Sequence, residues 1–413
     1  MDFEIAIIGG GASGLAAACA AADFLPRGSI IILERMPRVG KKILATGNGR
    51  CNLSNKNLSI TNYYGEDLKN AGEIIKKFSP DDAVKFFGSL GVLCKAEENG
   101  RIYPYCCQAS AVLDALRHKI TEAGVKIETD FETAGINHIN GRFEAYSNDK
   151  RIKSKKIIVA AGGSAYQSLG SNGSGYGLLK SFGHTTTKLS PALVPLKTEN
   201  EFTRSGAGNY FNCGLSIMKN NEMIYCTSGE VLLTEYGLSG IPALEASITP
   251  HLYEGLTARL DFMPEYDINE VRAILRDAKK NCSGKTLESF MTGLINKKIG
   301  LLLMKIVVKD IKARASSLSD DDINKLSHLL KNFDIKITGT KGYANAQATA
   351  GGVRLNEFND ELESKLFKGL YAAGEILDVT GGCGGYNLHW AWASGIAAGV
   401  SAAKACRKRK NNT

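Results

Sequence analysis

Residues 3–14 read Phe3-Glu4-Ile5-Ala6-Ile7-Ile8-Gly9-Gly10-Gly11-Ala12-Ser13-Gly14, and this stretch decides the fold. The first six residues are almost wholly apolar, as a strand buried on both faces requires. The Ala-rich stretch from Ala12 to Ala22 is helical by propensity, and Ser29 to Leu33, β-branched and apolar, is a second strand. Together they make one βαβ unit of the expected size. The glycines between strand and helix have the spacing G-x-G-x-x-G. The first allows the tight turn, the second lets backbone approach a pyrophosphate, and the third lets the helix pack closely on the sheet, with the helix N-terminus attracting the phosphates. Glu34 closes the second strand 20 residues beyond Gly14, where an acid hydrogen-bonds the adenosine ribose hydroxyls. Strand, turn, helix and acid agree on a dinucleotide site, against a coincidental glycine turn.

At 413 residues the chain is too long for one ordinary core, so two or three lobes are expected. Glycine is the outlier, 45 residues or about 11% against roughly 7% on average, which points to many close backbone approaches and positive-φ turns. The net charge of +9 owes part of its excess to the C-terminal Lys404, Arg407, Lys408, Arg409 and Lys410, read as a solvated end. Elsewhere Lys and Glu are mixed, so a nucleic-acid partner is not expected. No signal peptide precedes the first strand, and no apolar run is long enough to span a bilayer. The ten cysteines form no repeated C-x-x-C pairs and the six histidines no H-x-x-x-H spacing. A cytoplasmic protein with reduced thiols, no metal and no membrane contact is the expectation.

Further along, Asp81–Leu90 and Ser110–Ala123 have helical spacing, and Asn140-Gly141 is a strong hairpin turn. Lys156–Ala160 returns as a buried strand ending in Gly162-Gly163. Short strands broken by Gly and Asn fill residues 191–265, and 266–332 read as consecutive helices. Strand patterns return after Lys331, and Leu388–Ala403 is a final helix. The simplest architecture is one nucleotide-binding domain made from residues 1–190 and 333–413, with 191–332 inserted between.

Three further regions suit a ligand. The segment Gly40 to Asn52 is polar and glycine-rich, is incompatible with a strand or helix core, and offers backbone N–H groups with Lys and Arg to an anionic or extended polar ligand; the alternative is a mobile surface loop. The cluster Gly170 to Gly177 opens a helix, so it either meets a ligand or makes a close helix–sheet crossing. Gly381 to Leu388 leads another glycine turn into a helix, whose partial positive charge would suit a reduced flavin. Asp378 is placed by sequence to bind a ribityl hydroxyl.

The stretches TGNGRCN (Thr46–Asn52), ATAGGV (Ala348–Val353), GEILD (Gly374–Asp378) and GGCGGYNLHWAW (Gly381–Trp392) together resemble one family. It is the group of bacterial FAD oxidoreductases that includes aminoacetone oxidase and the BaiN-type bile-acid enone reductases, and the resemblance spans essentially the whole chain. More distantly, Ala160-Ala161-Gly162-Gly163 and Gly173-Ser174-Gly175 resemble fumarate-reductase-type flavoproteins, although many relatives carry an acid in place of Ser174. The resemblance implies an α/β fold: a split Rossmann-type FAD-binding domain with an inserted antiparallel β-barrel lobe and a helical cap. It implies that Gly9, Gly11, Ala12, Ser13 and Gly14 hold the pyrophosphate and that Glu34, beside Arg35, holds the ribose. Thr46, Gly47, Asn48, Gly49, Arg50, Cys51 and Asn52, with Gly384, Gly385, Tyr386, Asn387 and Leu388, would lie along the ribityl and isoalloxazine. Lys42, Ala161, Gly162, Gly374, Glu375 and Asp378 would complete the site.

For the chemistry, Arg50 and Tyr386 are candidates to polarise a substrate carbonyl, and His389 is a candidate general acid, against a polar surface or capping role. Cys51 and Cys383 lack the C-x₄-C spacing of a redox dithiol and read as small packed side chains. The resulting expectation is an FAD-dependent oxidoreductase, with NADH or NADPH as a transient reductant, moving hydride to an activated double bond of a small or sterol-like substrate. An amine oxidase that uses oxygen is the alternative enzyme, and a flavin-dependent RNA-modifying or RNA-binding protein the alternative from another class.

Overall fold

The computed structural model describes residues 2–199, 201–248 and 255–408. They divide into two compact units, one made of residues 1–192 and 346–413 and the other of residues 193–345. The first opens with β1 (Asp2–Ile8), α1 (Ala12–Ala22) and β2 (Ile30–Leu33), followed by the short α2 (Lys41–Ala45) and by α3 (Ala109–Glu122). Next come β3 (Lys126–Glu128), β4 (Gly135–Ile139), β5 (Arg142–Tyr146), β6 (Arg151–Val159) and α4 (Ser174–Lys180). The sheet runs β3-β2-β1-β6-β5-β4. The β1, β2, β3 and β6 strands are parallel, whereas β5 runs antiparallel to β6 and β4 antiparallel to β5. Four apolar residues in a row, Ile30–Leu33, are all buried, as a strand covered on both faces demands. The β4–β5 hairpin turns at Asn140 (φ 52°) and Gly141 (φ 74°), the left-handed pair that the Asn-Gly sequence favours.

The second unit is built on β7 (Leu196–Thr198), β8 (Tyr210–Lys219), β9 (Glu222–Thr234), β10 (Gly237–Ser239), β11 (Leu256–Asp261) and β12 (Phe333–Thr340). Their antiparallel pairing closes on itself in the order β7-β10-β9-β8-β11-β12. Between β11 and β12 lie four helices: α5 (Ile268–Asn281), α6 (Leu287–Phe290), α7 (Lys297–Val307) and α8 (Asp320–Lys331). Asp267 and Ser319 cap α5 and α8 with reciprocal side-chain bonds. Alternating inward residues of the strands, such as Ala258, Leu260 and Ile335, join Leu303, Leu326 and Leu330 from the helices in one core. Residues 333–345 belong here, not to the dinucleotide unit as the sequence pattern implies. The strand β12 pairs with β11 and β7, so the return to the first unit falls at 346.

That return adds β13 (Leu370–Ala372), parallel to the C-terminal half of β6, and α9 (Tyr386–Lys408). The helices α1 and α9 cross closely because α9 presents Gly395 and Gly399. A Cβ on Gly395 would stand 2.3 Å from the Ser13 carbonyl oxygen, and one on Gly399 2.3 Å from that of Ala17. The nine residues from Ser13 to Ala21 are consequently all buried.

Candidate functional site

The parallel strands β1, β2 and β6 end together, and past their carboxyl ends opens a cleft holding about 1190 Å³ of space, part of it open to solvent. A crevice beyond the carboxyl ends of parallel strands is where open α/β sheets bind ligands. Its floor is the turn after β1. Gly9 has φ 102°, and a Cβ there would lie 2.4 Å from the Ala160 carbonyl oxygen. A Cβ on Gly14 would lie 1.9 Å from the Gly9 carbonyl oxygen, so the third glycine serves helix–sheet contact. Gly11 differs: it lines the cleft, and a Cβ on it would meet nothing within 4 Å. That open space is the approach a pyrophosphate needs. Gly11 is also the N-cap of α1, with no side-chain cap and no acid in the first turn, so the positive helix end is left for an anion.

Glu34 is buried at the cleft wall and accepts from the Gly10 amide (2.7 Å) and the Met36 amide (2.8 Å), one with each carboxylate oxygen. Each oxygen keeps a lone pair for a ribose hydroxyl, while the charge would repel a ribose 2′-phosphate. The residues present therefore fit a dinucleotide whose adenosine is unphosphorylated at that position. Lys42, which also lines the cleft, pairs with Glu375 (2.6 Å), whose other oxygen accepts from the Thr349 amide (2.8 Å). Arg35, Thr46, Ala161, Gly162, Asn387 and Leu388 also line the cleft. The Asn387 side chain clasps Gly381, accepting from its amide (2.8 Å) and donating to its carbonyl (2.7 Å), which fixes the turn before α9.

Other expected residues lie elsewhere. Arg50 binds Glu97 (3.1 Å) and the Tyr103 hydroxyl (3.2 Å), over whose ring its guanidinium lies, and it does not line the cleft. The Tyr386 ring packs edge-on to Tyr63. The His389 imidazole is fully buried, contrary to both readings of it. Its Nε2 donates to the Phe78 carbonyl (2.8 Å), its Nδ1 accepts from the Ser54 hydroxyl (2.8 Å), and burial pushes its pKa down to about 4. A neutral imidazole with both nitrogens engaged is a tether, not an acid. Asp378 is buried too, and its carboxylate accepts from the Glu66 amide (3.0 Å) instead of facing the cleft. Burial raises its pKa.

The segment 40–52 is not the irregular loop its composition implies. Lys41–Ala45 is helical and Thr46–Gly49 forms a 3₁₀ turn, with Gly47, Asn48 and Gly49 all at positive φ. Gly40, left-handed at the N-cap, starts the helix. Cys51, also at positive φ (61°), is buried, and desolvation pushes its thiol up to about 12. No disulfide joins it to Cys383. Asn52 Oδ1 is buried with no hydrogen-bond partner among the described residues, and a Cβ on Gly385 would come within 2.7 Å of it. Gly374 turns the chain at positive φ just past β13, and Gly384 and Gly385, both at positive φ, lead it into α9. The second glycine cluster is divided: Gly170 and Ser171 line the cleft, whereas a Cβ on Gly175 would press on Ala161 and Ile376 at 2.7 Å, a close helix–sheet crossing. Arg38, Phe131–Thr133 and Gln347 also line the cleft, and no motif singles them out. For Phe131 a signal existed, since it follows β3, and residues just past parallel strand ends face the crevice.

This fold and this cleft define a dinucleotide-binding α/β protein carrying a second, antiparallel unit within its chain. The chain belongs to the family described as the HI0933-like protein Rossmann domain, whose model matches residues 3–401. It is 40% identical to the 3-dehydro-bile acid delta(4,6)-reductase of Clostridium scindens over 97% of this chain and 99% of that one. It is 26% identical to the ribosomal RNA dihydrouridine synthase of Haemophilus influenzae, over 96% of this chain and 98% of that one. Among solved structures, the 3-ketosteroid-delta4-(5alpha)-dehydrogenase of Rhodococcus jostii RHA1 shares the fold with a TM-score of 0.50 at 14% identity, over 97% of each chain. No helix among the described residues is long and apolar enough to cross a membrane.

Proposed function

We propose that the protein is an FAD-dependent oxidoreductase, reduced by NADH or NADPH, that saturates a carbon–carbon double bond conjugated to a carbonyl in a small or sterol-like substrate. The observation that carries this reading is the cleft with open space above Gly11 and with Glu34 at its wall. Its chain-long relative named as a reductase of a bile-acid double bond supplies the reaction class. Bound FAD would supply a two-electron reductant able to deliver hydride to one carbon of such a bond while the other takes a proton. The chain's own part is binding and orientation. The α1 N-terminus and the Gly11 backbone would receive the pyrophosphate, Glu34 would accept from ribose hydroxyls, and Lys42, held by Glu375, adds a cation to the cleft lining. Among the described residues lining the cleft there is no Tyr, His or Cys, so the proton comes from a lining ammonium group, Lys41 or Lys42, or from water.

A second reading keeps the same chemistry with a different substrate. Uracil in RNA also carries a carbon–carbon double bond conjugated to a carbonyl, and two relatives at 26% and 25% identity are named ribosomal RNA dihydrouridine synthases. The test is the visible spectrum of the purified protein, followed by anaerobic addition of NADH or NADPH and then of a steroid enone. A flavin spectrum that bleaches with the nicotinamide and recovers with the enone is expected. A colourless protein that takes up no added FAD would sink the reading.

A further inference from the structure

The second unit carries a surface that its fold does not explain. Residues 279–314 hold nine cations (Lys279, Lys280, Lys285, Lys297, Lys298, Lys305, Lys309, Lys312 and Arg314) and only two acids, Glu288 and Asp310. That net +7 is most of the +9 of the whole chain. Eight of the nine are exposed, Lys279 being half-buried. None lies within 4.0 Å of a carboxylate among the described residues, whereas on the same unit Arg259 pairs with Asp334, Lys325 with Asp321 and Lys331 with Asp261.

The cations sit on α7 and on the segments either side of it in the chain. The α7 helix buries Ile299, Leu303 and Met304, which leaves Lys297, Lys298 and Lys305 on its outward side, the first and last about 12 Å apart at the α-helical rise. Beyond its end, the strand-like segment bearing Lys312 and Arg314 lies against the one bearing Lys285. Leu287 donates to Ala313 (2.9 Å), Ala315 to Lys285 (2.8 Å), and Thr286 faces Arg314. At the other end of α7 an aromatic ring stands in solvent: Tyr210 is 55% exposed, and its carbonyl accepts from Asn296, the α7 N-cap (3.3 Å).

Clustered like charges repel and destabilise a compact state, so an unpaired set of this size calls for an anionic partner. Lysines followed along a surface suit a chain of phosphates, and an exposed tyrosine beside them suits an unstacked base. A lipid surface is the weaker match, because the apolar side of α7 is committed to the core and Ile306 alone of its large apolar residues is more than half exposed. We propose that this face, centred on Lys285, Lys297, Lys298, Lys305, Lys309 and Arg314 with Tyr210 at its edge, holds the phosphate backbone of an RNA. The proposal rests on the second reading above and gives it a docking surface; it also reverses the expectation that nucleic acid would be no partner.

The experiment compares the flavin-loaded full chain with the variant Lys297→Gln/Lys298→Gln/Lys305→Gln/Lys309→Gln. Both are titrated with an unmodified ribosomal RNA transcript across a series of KCl concentrations. The full chain should bind, and the variant should bind at least about tenfold more weakly at low salt. Its log–log salt slope should be smaller by about 3, from about 0.7–0.9 per phosphate contact removed. Melting temperature and flavin absorbance should match those of the unsubstituted protein. A control, Lys325→Gln/Lys336→Gln, removes two paired lysines of the same unit and should leave the slope unchanged. No RNA binding by the full chain, an unchanged slope in the fourfold variant, or preferential lysine-dependent binding to phosphatidylglycerol vesicles would overturn the proposal. Loss of the uracil double bond is read in the same samples. RNA held by these lysines but never reduced would keep the surface and defeat the reading; reduction equal in protein and variant would do the reverse.

Discussion

Gly11 and Gly14 belong to the same turn motif, yet they should respond in opposite ways to one added methyl group. Gly11→Ala places a Cβ in open cleft at an unstrained φ of −81°, so the apo-protein should lose less than about 1 kcal/mol while FAD affinity falls at least tenfold. Gly14→Ala drives a Cβ to 1.9 Å from a carbonyl oxygen inside the helix–sheet contact and should cost about 3 kcal/mol. Chemical denaturation of both apo-proteins, with a flavin titration of Gly11→Ala, checks the pair. His389 makes a pH prediction. Its pKa is about 4 when folded and about 6.5 when unfolded, so the unfolded state binds the extra proton between those values. Its contribution is present above pH 6.5 and falls away as pH drops toward 4, by about 3 kcal/mol at most. His389→Gln should flatten that part of the stability–pH curve. None of this was legible in the sequence, because the residues that hold the imidazole, Ser54 and Phe78, are 335 and 311 positions away. The Gly9-to-Gly14 roles were legible because their spacing within one turn carries them, although Gly9 also abuts Ala160 of the neighbouring strand.

The α1–α9 crossing sets where the positive end of α1 lies, and its closeness rests on Gly395 and Gly399. Alanine at either position puts a methyl group 2.3 Å from a carbonyl oxygen of α1, so each substitution should cost about 1–3 kcal/mol. Together they should cost less than the sum, because one widening of the helix pair relieves both contacts. Melting temperatures of the two singles and the double test this, and flavin affinity should fall with them as the α1 N-terminus shifts. Elements buried on both faces were readable as such: β1 and β2 are nearly unbroken apolar runs, and no other element type suits them. For β12, the alternation of buried Phe333, Ile335 and Ile337 marks a strand but carries nothing about which sheet it joins. That is why the pattern puts the return to the first unit at 333, when it falls at 346. The Lys41–Ala45 helix was hidden for another reason, as it is only 5 residues long and composition cannot outvote its tertiary contacts.

At the scale of the whole molecule, every residue lining the cleft belongs to the unit of residues 1–192 and 346–413, while residues 193–345 have a core of their own. Calorimetry should therefore resolve two transitions, and added FAD should raise only one. At a hundredfold excess over Kd the shift corresponds to about 2.7 kcal/mol; a single transition that moves as a whole would count against independent units. The split of the first unit also has a consequence during biosynthesis. Its sheet is unfinished until β13 joins β6, and its cleft until Asn387, Leu388 and Ala391 arrive, although β6 is complete at Val159. At about 5–20 residues per second, the ribosome needs roughly 10–40 s to pass from the start of the second unit to that point. Throughout that interval the nascent half-sheet exposes an open strand edge and the alanine face of α1. Codon choice and folding speed within the intervening segment thus govern how long aggregation competes with completion of a site to which that segment contributes no lining residue.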